Sequence, residues 1–239
     1  TMPWDESWGE EKVRKAAAAL KETVRKFSNG ATVAVSKPIA QTVDAAKTVS
    51  AGTTRKIRIG IIGCGQMGEW HWDAYRKNPN VECAAFSDTD RSRAERFISK
   101  TPGNIYTDYR QMLQNEKLDG VSICTLPSTH HPIVMDLLNA GVHVLCEKPL
   151  AMTASEAQSM TQKANEKKLL LLTAFKFRFF DEVQKAKAIL QKGSLGKILN
   201  FRVMIGGQTD MAGTWFVNKD LSGGGVVIDN GPHAFDLVR

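Results

Sequence analysis

The sequence predicts an α/β fold built on a doubly wound parallel sheet, and three observations carry that prediction. A β-branched apolar run, Ile57, Ile59, Ile61 and Ile62, leads straight into Gly63-x-Gly65-x-x-Gly68. Strand, glycine turn, then helix is the order a dinucleotide pyrophosphate site requires. From Val81 to Ala174 short apolar runs alternate with helical stretches over short connections, the pattern of successive β-α-β units. Finally, polar residues recur just beyond the apolar runs, at Asp88, Thr125–His130 and Glu147–Pro149. Ligands gather at those carboxyl ends in a parallel sheet.

Taken in order, residues 1–55 differ from the rest. Ser7 and Glu10 have capping-box spacing before Glu11–Phe27, a run of strong helix formers with Val13, Ala17, Leu20, Val24 and Phe27 on one face. Ser28-Asn29-Gly30 ends it, and residues 31–54 read as an Ala/Thr/Val/Ser linker. The predicted sheet begins at Lys56. A helix runs from Gly68 to about Asn78, a strand from Val81 to Phe86, and a helix from Arg91 to Lys100. Ile105-Tyr106 is a short strand and Tyr109–Asn115 a helical turn or two. Leu118–Thr125 is a buried strand, followed by a loop to Pro132 and a helix from Ile133 to Ala140. Val142–Cys146 is the next strand. Thr153 and Glu156 form a second capping box, and that helix runs to about Lys167. Leu169–Ala174 is a strand, Asp181–Gln191 a helix, and Lys197–Ile205 alternates like a strand with one wet face. Val226–Arg239 reads as one helix despite Gly231-Pro232.

Composition narrows the function classes. At 239 residues, with 42% hydrophobic and 24% charged side chains, the chain is an ordinary globular sequence of one large domain or two smaller ones. The net charge of +7 is spread along the chain without a dense run. It fits a basic surface suited to anionic ligands better than a nucleic-acid interface. No stretch is long and apolar enough to span a membrane, and no signal core opens the sequence. The cysteines, Cys64, Cys83, Cys124 and Cys146, lack C-x-x-C spacing and fall in or beside predicted strands. They read as small buried hydrophobes in a reducing compartment, which places the chain in the cytoplasm.

Three candidates carry chemistry. Asp88 follows Gly68 by twenty residues, where a carboxylate accepts both adenosine ribose hydroxyls and repels a 2′-phosphate. That favours NAD over NADP, although Arg91 and Arg93 soften the preference. The competing reading of Asp88 is a helix N-cap. Lys148 lies at a strand end between Glu147 and Pro149. The proline restricts it to extended geometry that aims the side chain into the crevice, where a lysine can polarise a substrate oxygen or move a proton; the competing reading is a surface lysine. Asp229 and His233, four apart, share one face of the expected helix and suit acid–base work, against the alternative of a solvated helix start. His71, His130, His131 and His143 show no metal-ligand spacing, and His130 is placed to reach a cofactor from the loop after Thr125.

Together GIIGCGQMG, TLPSTHH, CEKPLA and GGGVVIDNGPHAFDL resemble the Gfo/Idh/MocA family of NAD(P)-dependent oxidoreductases of sugars, cyclitols and related alcohols. The resemblance covers about Arg55 to Arg239. It implies a Rossmann domain (residues 56–175) followed by an α/β domain with an open, mainly antiparallel sheet, of which residues 176–239 are the incomplete start. It further implies hydride transfer between a substrate carbon and NAD, or NADP. His233 would be the acid–base group, Lys148 would orient and polarise the hydroxyl, and Asp229 would support both. Around the cofactor the resemblance places Gly63, Gly65, Gln66, Met67 and Gly68, then Asp88, then Thr125, Leu126, Pro127 and His130. Glu147, Lys148 and Arg178 complete that set, with no metal ligand. A small carbohydrate or polyol is the implied partner, with homo-oligomers in a full-length form. A tightly held NAD serving glycoside cleavage, and a non-catalytic nucleotide sensor, are the two other classes. Members of the family continue beyond the position of Arg239, so the expectation is a fragment of a longer reading frame or a truncated variant. Residues 1–55 have no counterpart in a minimal member.

Overall fold

The computed structural model describes residues 55–207 and 210–239, so the helix and linker expected in residues 1–54 lie outside the described residues. Six strands alternate with helices: β1 (Ile57–Ile62), α1 (Gln66–Tyr75), β2 (Val81–Ser87), α2 (Arg91–Ile98), β3 (Asn104–Tyr106), α3 (Tyr109–Asn115), β4 (Gly120–Ile123), α4 (Pro127–Asn139), β5 (His143–Cys146), α5 (Ala154–Lys167) and β6 (Leu171–Thr173). The sheet order is β3-β2-β1-β4-β5-β6, and every neighbouring pair is parallel. This is the Rossmann order, with its switch point between β1 and β4.

Strand alternation sorts the core onto the two faces. Val121 and Ile123 of β4 pack with Leu137 and Leu138 of α4 and Met160 of α5. Ile61 and Phe86 pack with Trp72 of α1 and Phe97 of α2. Phe86 and Phe97 stack at 5.1 Å, and Trp72 meets Phe97 edge-on at 5.9 Å. Each such fully buried large side chain contributes roughly 1.5–3 kcal/mol. Ser122 lies between Val121 and Ile123 and opposite Ile61, so this polar residue faces α1 on an otherwise apolar row.

The helix starts follow residue chemistry. Asp90 caps α2, Asp108 caps α3, and Thr153 with Glu156 forms the expected capping box on α5. The two helices that begin at the carboxyl edge beside the switch point, α1 and α4, have Gly65 and Leu126 at their N-caps and no side-chain cap bond. Residues 127–132, expected as loop, are the opening of α4. Pro127 fits the first helical turn, whose N–H groups have no intrahelical partner, and Pro132 sacrifices only one backbone bond.

The chain divides into two compact units. One holds the sheet up to Phe175 together with Gly207–His233; the other holds Lys176–Gly206 with Ala234–Arg239. The division differs from a simple cut after residue 175, because Gly207–His233 belong with the sheet. In this unit Ser222, at the end of α7 (Lys219–Ser222), is buried, and the open side of Gly223 faces the Met152 thioether. The second unit contains α6 (Asp181–Gln191). The strand expected over Lys197–Ile205 is not formed, and no antiparallel pair occurs among the described residues. Leu199 and Met204 are 58% and 81% exposed; alternation specifies a strand only where a partner edge and a covered face exist. The single helix expected over Val226–Arg239 is two, α8 (Val226–Asp229) and α9 (Gly231–Val238), interrupted at Asn230. Pro232 supplies no N–H to continue the first into the second.

His130 ties together two of the loops that follow the strands. It lies inside α4 with no exposed surface, its Nδ1 2.8 Å from the Pro149 carbonyl and its Nε2 3.2 Å from that of Thr125. Burial pushes its pKa below the usual histidine value, although the carbonyls act the other way.

Two outcomes are expected from this packing. A Cβ on Gly68 falls 2.2 Å from the Gly63 carbonyl oxygen, so Gly68→Ala is expected to cost about 2–4 kcal/mol in denaturant unfolding. Because the His130 pKa is depressed in the fold, the unfolded chain takes up the proton first as pH falls. Its stability contribution is therefore full above about pH 6.5 and declines below it. Melting curves from pH 8 to pH 5 should show a flatter decline in His130→Gln than in the unaltered protein.

Candidate active site

The site begins where the chain leaves β1. Gly63 has φ +91°, and a Cβ there would lie 2.6 Å from the backbone carbon and oxygen of Cys124. Only glycine allows so close an approach of the chain leaving β1 to the chain leaving β4. Gly63 N–H is held by the Ser87 carbonyl at 2.8 Å. Gly65 is different: nothing lies within 4 Å of the position its Cβ would take. The turn is therefore packed tight at Gly63 and Gly68 and open at Gly65, where the uncapped N-terminus of α1 begins with exposed Gln66 and half-buried Met67. An open glycine before free helix N–H groups fits a pyrophosphate.

Asp88, just past β2, closes the turn from the other side. Its Oδ2 accepts from Cys64 N–H at 2.8 Å and its Oδ1 from Asp90 N–H at 2.9 Å. Each oxygen keeps acceptor capacity for a ribose hydroxyl. The competing N-cap reading of Asp88 is displaced, since Asp90 caps α2 by accepting from Ser92 N–H. Arg91 pairs with Glu95, and Arg93 with Asp90. Arg96 instead reaches the turn, donating to the Cys64 carbonyl at 3.2 Å. Burial, then the Asp88 charge, pushes the Cys64 thiol up to about 12, which makes it an inert packing group.

Beyond β4 and β5 lie the groups expected to do chemistry. Thr125 Oγ1 accepts from Thr129 Oγ1 at 2.7 Å, and Leu126 leads into Pro127 at the start of α4. His130 is not turned toward open space but is enclosed between the Pro149 and Thr125 carbonyls. Lys148 precedes a cis peptide bond to Pro149. Its Nζ donates to the Asp229 carboxylate and, at 2.9 Å, to the Asp229 carbonyl. Both side chains are mostly buried, 18% and 22% exposed, so Lys148 is no solvated surface lysine. His233, near the start of α9, is 5% exposed and meets Phe175 edge-on at 6.3 Å. Asp229 and His233 thus lie on successive helices, and the carboxylate is engaged by Lys148. Arg178 lies in the other unit, where its guanidinium pairs with nearly buried Asp236, which raises its pKa.

Sequence spacing missed three participants. His71 of α1 places Nε2 3.0 Å from Glu147 Oε1 and Nδ1 3.1 Å from Ser122 Oγ. The Tyr75 hydroxyl completes the chain 2.7 Å from Ser122 Oγ. His71 and Glu147 are remote in sequence, and no local pattern joins them. The one available signal was the serine inside the otherwise apolar β4. Burial alone would raise the Glu147 pKa, but His71 and the Lys148 N–H, 3.1 Å from Oε2, hold it below the usual carboxylate range. Ser122 has no exposed surface, so serine, histidine and carboxylate here cannot serve a nucleophilic hydrolase. Among the described residues no cluster of His, Cys, Asp or Glu is arranged to hold a metal, and no helix is long and apolar enough to cross a membrane.

Known proteins place this geometry. The profile described as "Oxidoreductase family, NAD-binding Rossmann fold" matches residues 57–175, and that of the GFO/IDH/MocA C-terminal domain matches residues 183–239. D-glucoside 3-dehydrogenase of Escherichia coli (strain K12) is 34% identical over 194 residues, covering 79% of this chain and 55% of that protein. Myo-inositol 2-dehydrogenase of Thermotoga maritima is 28% identical over 184 residues, covering 77% of this chain and 54% of that one. The crystal structure of an NAD-binding protein from Listeria innocua superposes with a TM-score of 0.70 at 27% identity, over 77% of this chain and 54% of that one. The chain spans about half the length of the curated relatives it matches. With both domain profiles matched in order, and the glycine turn, Asp88 and Lys148 brought to one edge of a Rossmann sheet, the chain belongs to the Gfo/Idh/MocA oxidoreductase family.

Proposed function

We propose that the chain carries the cofactor site and the catalytic lysine of an NAD-dependent dehydrogenase acting on a secondary hydroxyl of a sugar, nucleotide sugar or cyclitol. The observation that carries this reading is the mostly buried Lys148–Asp229 pair at the same sheet edge as a glycine turn left open at Gly65. Relatives named for D-glucoside and myo-inositol oxidation support the substrate class. NAD, when bound, supplies the ring that accepts the hydride from the substrate carbon.

The chain's own residues do the rest. Lys148 Nζ spends donors on the Asp229 carboxylate and carbonyl, and an ammonium has three, so one remains for a substrate oxygen. Asp229 fixes the direction of that donor. His233, enclosed beside Phe175, is the group proposed to take the hydroxyl proton on its imidazole. Asp88 favours the unphosphorylated ribose of NAD; an NADP-linked form of the reaction would have to place a phosphate beside its carboxylate. Buried free thiols at Cys64, Cys83 and Cys146 support a reducing, cytoplasmic setting. Self-association belongs to the same reading, with apolar surface offered by Leu199, Phe201 and Met204.

Two measurements test it. NADH fluorescence titration should show binding that Gly65→Ala weakens about tenfold with little loss of stability, because the added methyl fills only the open side. Asp88→Ser should narrow the preference for NADH over NADPH. Binding unaffected by either change removes the cofactor assignment. Lys148→Ala should lower turnover of a polyol substrate by about 10²–10⁴-fold, and unchanged turnover removes the lysine from the mechanism.

A further inference from the structure

His71, Tyr75, Ser122 and Glu147 form a polar chain through the sheet-bearing unit that the proposed hydride transfer does not use. Its donors and acceptors can be traced in one direction. Glu147 holds no proton and can only accept, so His71 Nε2–H donates to Oε1 across 3.0 Å. In the neutral ring Nδ1 is then an acceptor and takes the Ser122 hydroxyl hydrogen across 3.1 Å. Ser122 Oγ in turn accepts from the Tyr75 hydroxyl across 2.7 Å. Every contact is satisfied once with no proton left over. The far oxygen of Glu147 accepts the backbone N–H of Lys148. The path therefore runs from the helix that begins at the glycine turn to the residue at the end of β5.

We propose that His71 is a positioning residue: through Glu147 it fixes the backbone and charge surroundings of Lys148, linking the helix of the dinucleotide turn to the lysine. The consequence for catalysis rests on the catalytic role proposed for Lys148; the link itself does not. Glu147 is 7% exposed, and a carboxylate so enclosed stays ionised only while partners compensate its lost hydration. The groups facing it are His71 from α1, Lys148 beyond β5, Cys124 beyond β4, Cys146 of β5 and His130 of α4. Among these, His71 and Lys148 are the two that favour its charge. Without His71, Glu147 loses one of the two partners that offset its burial, and its hold on the Lys148 amide loosens. Lys148 is then held by its Asp229 contacts alone, and Nζ becomes easier for a reagent to reach.

Competitive acetylation of lysines, read by mass spectrometry, reports that accessibility without requiring turnover. Exposed Lys185 on α6 serves as the internal reference. In folded His71→Ala, Lys148 should be labelled about threefold or more faster relative to Lys185 than in the unaltered protein. His71→Gln, whose amide can still donate to Glu147, should restore the rate to within about twofold. A Lys148 rate unchanged in His71→Ala overturns the proposal, as does equal acceleration in both variants. If His71→Ala does not fold, Glu147→Gln weakens the same hold with little change of shape and must accelerate Lys148 labelling likewise. The ¹⁵N spectrum of the unaltered protein gives an independent outcome. Above pH 8 His71 must show the Nε2–H tautomer, and the Nδ1–H tautomer overturns the link. Turnover keeps the two readings apart. Polyol oxidation surviving Lys148→Ala removes the catalytic role of the lysine and leaves the link standing, whereas unaltered labelling removes the link alone.

Discussion

Just past the ends of the paired strands β1 and β4, the Gly63 backbone approaches that of Cys124 with no room for a side chain, and the rest of the sheet-bearing unit is arranged around that close approach. A Cβ at Gly63 would meet Cys124 at 2.6 Å, and one at Gly68 would meet the Gly63 carbonyl at 2.2 Å. Strand, turn and helix are therefore compressed into one another, and α1 must start where the sheet order reverses. The compression also brings the loop after β4 against the turn. From there His130 anchors that loop to the one after β5 through the Pro149 carbonyl. The single open point in this packing is Gly65. A site thus arises beside tightly packed chain, because there the uncapped N-terminus of α1 meets open space.

Around that point the polar groups are held by backbone rather than left to choose partners. Asp88 accepts from Cys64 N–H and Asp90 N–H, and Arg96 donates to the Cys64 carbonyl. A carboxylate fixed this way presents its remaining lone pairs in a set direction and loses little side-chain entropy when a ligand arrives. The other end of the sheet works differently. There Arg58 pairs with Glu82 and Glu116, and Arg55 with Asp119. These contacts tie strand ends together.

The parts legible in the sequence were those set by neighbours in the chain. The glycine spacing, the Thr153–Glu156 capping box and the strand run before Gly63 each depend on residues a few positions apart, and each appears as expected. The position of Lys148 just past a strand end is likewise set by its neighbours Glu147 and Pro149. What failed needed distant information. Lys197–Ile205 alternates correctly, yet strand formation depends on a pairing edge that alternation does not encode. The helix through Asp229 and His233 looked continuous in composition, and its break at Asn230 separates two residues that periodicity would place on one face. Pro132 gave the opposite error, since a proline six residues into α4 is tolerated after Pro127 has started the helix. His71 was invisible for a third reason. Its significance lies in Glu147 and Ser122, which only the sheet brings to it.

Lys148 is thus bounded by two carboxylates with separate tasks. Asp229 takes the ammonium directly, by side chain and by carbonyl, and so sets where Nζ points. Glu147 takes the amide of the same residue and so sets where the chain places it. The two differ in what sustains their charge. Asp229 is partly open to solvent and has the lysine itself as counter-ion. Glu147 is enclosed, and burial opposes its ionisation until His71 and the Lys148 backbone offset it. A lysine held only through its side chain by Asp229 would leave its backbone free to shift with the strand end. Anchoring the backbone through a buried second anion removes that freedom. The anchor in turn requires a donor from outside β5, and α1 is the element packed closely enough to provide it. The helix that starts at the glycine turn is therefore also the one that completes the environment of the lysine.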